Sequence, residues 1–97
     1  MIVLVLECVR EGYRGEVTRW LMELRAGVYA GNVSAAVRER LWNKTLKETE
    51  ENGGSGLMLY SADTEQGFDM RMTGMPSRQI IDMEGLKLVS TILPEQV

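Results

Sequence analysis

The chain has no histidine and only one cysteine, Cys8, among its 97 residues. The first absence removes the imidazole base and the commonest metal ligand; the second rules out an internal disulfide, and together they leave no ordinary zinc set. Long apolar runs are missing as well: the longest, Ile2–Leu6, falls far short of the ~18 residues needed to span a bilayer, and no basic segment precedes it as in a secretory leader. A cytoplasmic chain without a membrane partner is expected. There is no excess of positive charge either, since the net charge is −3 and the isoelectric point about 5.0. Indiscriminate adhesion to nucleic acid, which rests on clustered Lys and Arg, is therefore not expected.

What is present is ordinary for a folded protein, with 44% hydrophobic and 26% charged residues. The length suits one domain over residues 1–97. Charge is unevenly divided: residues 1–47 carry eight Lys/Arg against five acids, net +3, and residues 48–97 carry three against nine, net −6. Any nucleic-acid contact should use a local basic patch.

Ile2–Leu6 is short, rich in β-branched residues and apolar on both faces, which predicts a strand ending at Glu7. Val17, Trp20, Leu21 and Leu24 recur at helical spacing after Gly12 and Gly15 and predict an amphipathic helix. Ala26–Val33, with Gly27 and Gly31 around Val28-Tyr29-Ala30, predicts a short strand with a bulge or bend. Ser34 is placed to cap a second, longer helix with an apolar stripe of Val37, Leu41, Thr45 and Leu46, ending before Asn52-Gly53-Gly54-Ser55-Gly56. Leu57–Ala62 and Phe68–Thr73 flank a turn, and the alternation of Phe68, Met70 and Met72 with Asp69, Arg71 and Thr73 predicts a hairpin with one wet face. A last strand over Leu86–Leu93 is ended by Pro94.

This order predicts an α+β, ferredoxin-like domain: an antiparallel or mixed sheet with two helices on one face. Strand 1 and Leu57-Met58-Leu59-Tyr60 are apolar on both sides, so the face opposite the helices also needs a cover. A homodimer packed sheet against sheet is the expected solution.

Candidate sites are sparse. Glu7 at a strand end would meet its copy near a two-fold axis, and two such carboxylates hold a hard cation such as Mg²⁺; the plain alternative is a solvated side chain. Arg10, Arg14, Arg19 and Arg25 around the first helix, with Arg38, Arg40, Lys44 and Lys47 on the second, offer a phosphate-contacting face, although Glu11, Glu16, Glu23 and Glu39 interrupt it. Gly12-Tyr13-Arg14-Gly15 at a helix start offers backbone N–H groups to an anion. Alternating Met58, Met70, Met72 and Met75 read as core filling. Asp63, Asp69, Asp82 and Glu84 match no calcium loop, and no nucleophile with a base is visible.

Several segments taken together are more specific. Arg25-Ala26-Gly27-Val28-Tyr29-Ala30-Gly31-Asn32-Val33-Ser34, then Trp42, then Glu65-Gln66-Gly67-Phe68, then Asp82-Met83-Glu84-Gly85-Leu86-Lys87-Leu88-Val89-Ser90 resemble CRISPR-associated protein 2 of the type I-E subtype, over almost the whole chain. The resemblance implies a ferredoxin-like homodimer acting in antiviral defence. Its role would be spacer acquisition, bridging two dimers of the integrase, CRISPR-associated protein 1, and touching the backbone of double-stranded DNA. It implies that Arg14 and Arg78 contact phosphates. Gly12 and Ser77 stand where a close family member has arginine, and Arg19, Arg38 and Arg40 are candidates to compensate. It implies that residues 86–97 form a terminal strand and tail, with Leu88, Val89, Ile92, Leu93 and Pro94 pairing with the integrase. Family members are also described as Mg²⁺-dependent endonucleases of RNA or DNA, with an acid ending the first strand. Glu7 occupies that place, although many members have Asp, whose shorter side chain sets a different geometry. Three functions follow as expectations: a DNA-binding scaffold subunit, an endonuclease using Glu7 of both protomers, and, outside the family, a small-molecule-sensing dimer.

Overall fold

In the computed structural model the described residues are 1–74, 78–83 and 86–91, the last two segments by their backbone alone. The elements run β1 (Ile2–Glu7), α1 (Glu11–Val17), β2 (Met22–Arg25), β3 (Val28–Gly31), α2 (Ala35–Asn52), β4 (Ser55–Ser61), β5 (Phe68–Gly74), β6 (Arg78–Met83) and β7 (Leu86–Thr91). Five strands form one sheet in the order β2-β3-β1-β4-β5, while β6 and β7 form a separate two-stranded sheet. Every pairing is antiparallel, so the mixed alternative falls away and the ferredoxin-like α+β expectation holds. Each helix joins two strands with another strand between them: α1 links β1 to β2 across β3, and α2 links β3 to β4 across β1.

The register sorts the sheet into two faces. Glu23, Tyr29, Leu4, Met58 and Arg71 lie in one row, and Met22, Ala30, Val3, Leu59 and Met70 in the next. The first face carries the core: Leu4, Tyr29 and Met58 are 0% exposed and cluster with Tyr13 and Val17 of α1 and with Leu41 and Trp42 of α2. Gly56 is the point of closest approach, because a Cβ there would lie 2.6 Å from Thr45 Cγ2 on α2. Along the opposite face Val3, Val5, Val28, Leu57, Leu59 and Met72 are half-buried.

The first helix lies earlier in the chain than the 17–24 spacing predicts. The stripe that is buried is Val9, Tyr13, Val17 and Leu21, a four-residue repeat competing with the one read from Trp20 and Leu24. After Val17 the chain unwinds through tight i→i−3 bonds, Thr18 N–H to Gly15 O, Arg19 N–H to Glu16 O and Trp20 N–H to Val17 O, before entering β2. With two glycines in seven residues and no side-chain cap, α1 is weak by itself. Tertiary contact holds it, above all the buried Tyr13 hydroxyl, 2.7 Å from Thr45 Oγ1.

The second helix matches expectation at its start, where Ser34 Oγ accepts the Val37 N–H at 3.2 Å. Leu46 departs from its predicted stripe and is exposed, whereas Glu48 and Thr49 are buried. The predicted hairpin is present, but its wet face is not a solvent face. Asp69, Arg71 and Thr73 are paired with Tyr60, Met58 and Gly56 on the helix side. There Arg71 bonds Glu39 and Thr73 bonds Thr49, both on α2. The bulge expected within Ala26–Val33 sits instead in β2, where the register shifts between Glu23 and Arg25. Among the described residues no helix is long and apolar enough to cross a membrane.

Candidate nucleic-acid interface

Three of the eight cations in and around the helices, Arg10, Arg38 and Lys44, are tied to carboxylates within the chain, as is Arg71 of β5. Arg10 closes a two-pronged bond on Glu48, Nε to Oε2 at 2.7 Å and Nη2 to Oε1 at 2.9 Å, which ties the start of α1 to α2. Lys44 Nζ donates to Glu16 Oε1 at 2.6 Å across the same pair of helices. Arg38 and Arg71 share Glu39, at 3.1 and 2.8 Å, and lie 4.5 and 5.0 Å from the centre of the Tyr60 ring. Arg71 first and then Arg38 hold the Glu39 carboxyl below its ordinary value, and Arg10 does the same to Glu48.

The remaining cations differ. Arg19, Arg25, Arg40 and Lys47 are exposed, and Arg14 is half-buried; none makes an ion pair within 4.0 Å of a described residue. The expected phosphate-contacting set therefore divides. Arg38 is committed to Glu39 and Tyr60, while Arg14, Arg19 and Arg40 remain available. Gly12-Tyr13-Arg14-Gly15 forms no open loop, because it lies inside α1 with the Arg14 N–H bonded to Arg10 O at 3.3 Å.

Arg14 has an unusual setting. Among the described residues its buried Nε has no hydrogen-bond partner, and neither has the hydroxyl of Tyr29, a residue 0% exposed. Both residues line one cavity of about 180 Å³ with Glu11, Gly15, Thr18 and Glu23. Burial first, and the Glu23 carboxylate second, push the Tyr29 phenol up to about 12, so it keeps its proton at neutral pH.

Glu7 ends β1 as expected, exposed and opposite Ser55. It lines a different cleft, of about 310 Å³, with Cys8, Thr49, Gly53, Gly54, Ser55 and Gly74. Gly54 (φ +90°) is required there, since a Cβ would lie 2.7 and 2.8 Å from the carbonyl oxygens of Cys8 and Glu7. One chain supplies a single carboxylate to this cleft, beside a thiol and two hydroxyls. Mg²⁺ keeps several of its waters and takes only one or two carboxylates, so Glu7, with its copy across a dimer axis, is the residue that would hold it.

Arg78 opens β6, opposite Thr91, and Leu88 and Val89 lie on β7 opposite Ile81 and Ile80. Ile92, Leu93 and Pro94 fall outside the described residues. Arg14 and Glu7 line separate cavities, so the two candidate chemistries are not one site. The sequence signalled neither the Arg10–Glu48 clamp, whose partners are 38 positions apart, nor the convergence of Arg14 with Tyr29. Both arise only when the strand order brings α1 over β3 and beside α2.

The family model of a CRISPR-associated protein, Cas_Cas2CT1978, matches residues 1–88 and so spans both helices and the whole five-stranded sheet.

Proposed function

The chain belongs to this CRISPR-associated family and so has a role in a CRISPR system, and from that premise we propose that it is a non-catalytic scaffold subunit of spacer acquisition, of the type I-E kind. Two copies join through the half-buried apolar face of the sheet, which is the observation that carries the reading. The dimer bridges integrase dimers of CRISPR-associated protein 1 and lies under the captured DNA duplex. Arg14, Arg19 and Arg40, with Arg78, meet backbone phosphates; phosphates carry position and no sequence, as a measuring subunit requires. Leu88 and Val89 of β7, and the tail beyond, supply the integrase contact by strand pairing.

The test is integration of a DNA duplex by the reconstituted complex. Replacing Arg14 and Arg78 together by Ala should abolish integration while leaving the dimer intact. Unchanged integration, or a chain that does not bind the integrase, overturns the scaffold.

A second reading follows from the placement of Glu7. Its exposure at a strand end lets two copies across a dimer axis hold one Mg²⁺, as a metal-dependent phosphodiesterase would need. Cleavage of RNA or DNA that persists undiminished in Glu7→Ala rules that reading out.

A further inference from the structure

Two buried polar atoms without partners, both beside one small cavity, call for a joint explanation. A buried hydroxyl left unbonded costs about 1–3 kcal/mol, and a guanidinium N–H more, so native proteins rarely leave two together. The cavity lined by Arg14 and Tyr29 is also lined by Glu23, whose carboxylate accepts the Gly27 N–H at 3.4 Å and acts on the Tyr29 phenol first as a nearby acceptor and then by its charge. One arrangement satisfies both orphans. Arg14 Nε–H donates to the Tyr29 oxygen, and the Tyr29 hydroxyl donates to Glu23. Such a chain is self-reinforcing, because a phenol that donates to a carboxylate is a better acceptor for the cation behind it.

We infer that Arg14, Tyr29 and Glu23 form a hydrogen-bond relay that fixes one edge of the Arg14 guanidinium, making Tyr29 and Glu23 positioning residues for its phosphate contact. The phosphate clause rests on the scaffold reading; the relay itself does not. The geometry suits the task. Tyr29 stands in β3, an inner strand of the sheet, paired with Leu4 of the central strand, and Arg14 projects from a seven-residue helix that has little stiffness of its own. An arginine held at Nε loses less rotamer freedom when its remaining N–H groups close on an anion. Thr18 does not compete for the site, because its hydroxyl donates to Gly15 O at 2.5 Å.

The experiment combines arginine side-chain NMR of the intact dimer with duplex-DNA titrations. In the unmodified protein the Arg14 Nε–H should be protected from solvent exchange and shifted, and Tyr29→Phe and Glu23→Gln should each release it. Because Tyr29→Phe leaves the buried Arg14 Nε–H without its acceptor, its thermal midpoint should fall, and affinities are compared at a temperature where both proteins are folded. Duplex affinity should drop about tenfold in Tyr29→Phe, as for a lost hydrogen bond to a charged group. The same change in an Arg14→Ala background should have no effect. An Arg14 Nε–H that exchanges freely, or one indifferent to Tyr29→Phe, overturns the relay. An equal affinity loss with and without Arg14 overturns the positioning role. If the relay is seen and the unmodified dimer binds no duplex, the scaffold reading fails, and the phosphate clause with it.

Discussion

The two faces of the five-stranded sheet are built from the same strands and come to opposite ends. On the helix side, Leu4, Tyr29 and Met58 are sealed at 0% exposure, and the polar groups of β5 find partners on α2: Arg71 with Glu39, Thr73 with Thr49. On the other side, Val3, Val5, Leu57, Leu59 and Met72 are apolar yet only half-buried. The difference separates the burial that the chain supplies by itself from the surface that a second copy would cover under the scaffold reading. Burial within one chain is independent of concentration, whereas burial against a second copy obeys mass action.

Breaking the sealed face should have the largest effect. Leu4→Ala removes a fully buried side chain at the centre of the core and should destabilise the fold by about 3 kcal/mol in urea titration, whatever the protein concentration. Leu59→Asp, one strand over on the open face, should instead act on association. Sedimentation equilibrium should show the dimer weakened by about a hundredfold, with the secondary structure of the monomer retained. If Leu59→Asp unfolds the chain as Leu4→Ala does, the contrast between the faces is wrong.

Smaller tests address polar groups on the sealed side. Thr45→Val deprives the buried Tyr13 hydroxyl of its 2.7 Å partner and should cost about 1 kcal/mol by the same titration. Glu48→Gln should lower stability slightly near neutral pH, because Glu48 is buried but its partner Arg10 is exposed and screened by water, and should alter the acid limb. Glu48 is held below its ordinary 4.5 by Arg10, so the unfolded chain binds this proton more readily than the folded one. The resulting stabilisation is present above 4.5 and is lost as pH falls through the folded value; in Glu48→Gln that segment of the pH–stability curve should flatten.

Much of the sealed face was legible in the sequence. The strand at Ile2–Glu7, the Ser34 cap, and the hairpin around Asp63–Gly67 each follow from local chemistry. What escaped was decided by tertiary contact. Two helical registers overlap between Val9 and Leu24, and only the packing of Tyr13 onto Thr45 chooses the earlier one, leaving Met22–Arg25 to join β3. The polar alternation of β5 gave the correct face but the wrong neighbour, because sequence reports polarity and not whether water or α2 receives it. For the site, the unpaired cations of the first half were legible as charges. Which of them are neutralised depends on partners such as Glu48 and Glu39, many positions away.

The irregular pairing of β2 has a consequence for assembly. An outermost strand with evenly spaced donors and acceptors is a template on which further copies add without limit. Between Glu23 and Arg25 that spacing is broken, and the whole strand from Met22 to Arg25 is bathed in solvent with charged side chains at Glu23 and Arg25. Growth of a fibril from this margin is discouraged, so the apolar face of the sheet can be left open to a cover without the edge inviting endless addition.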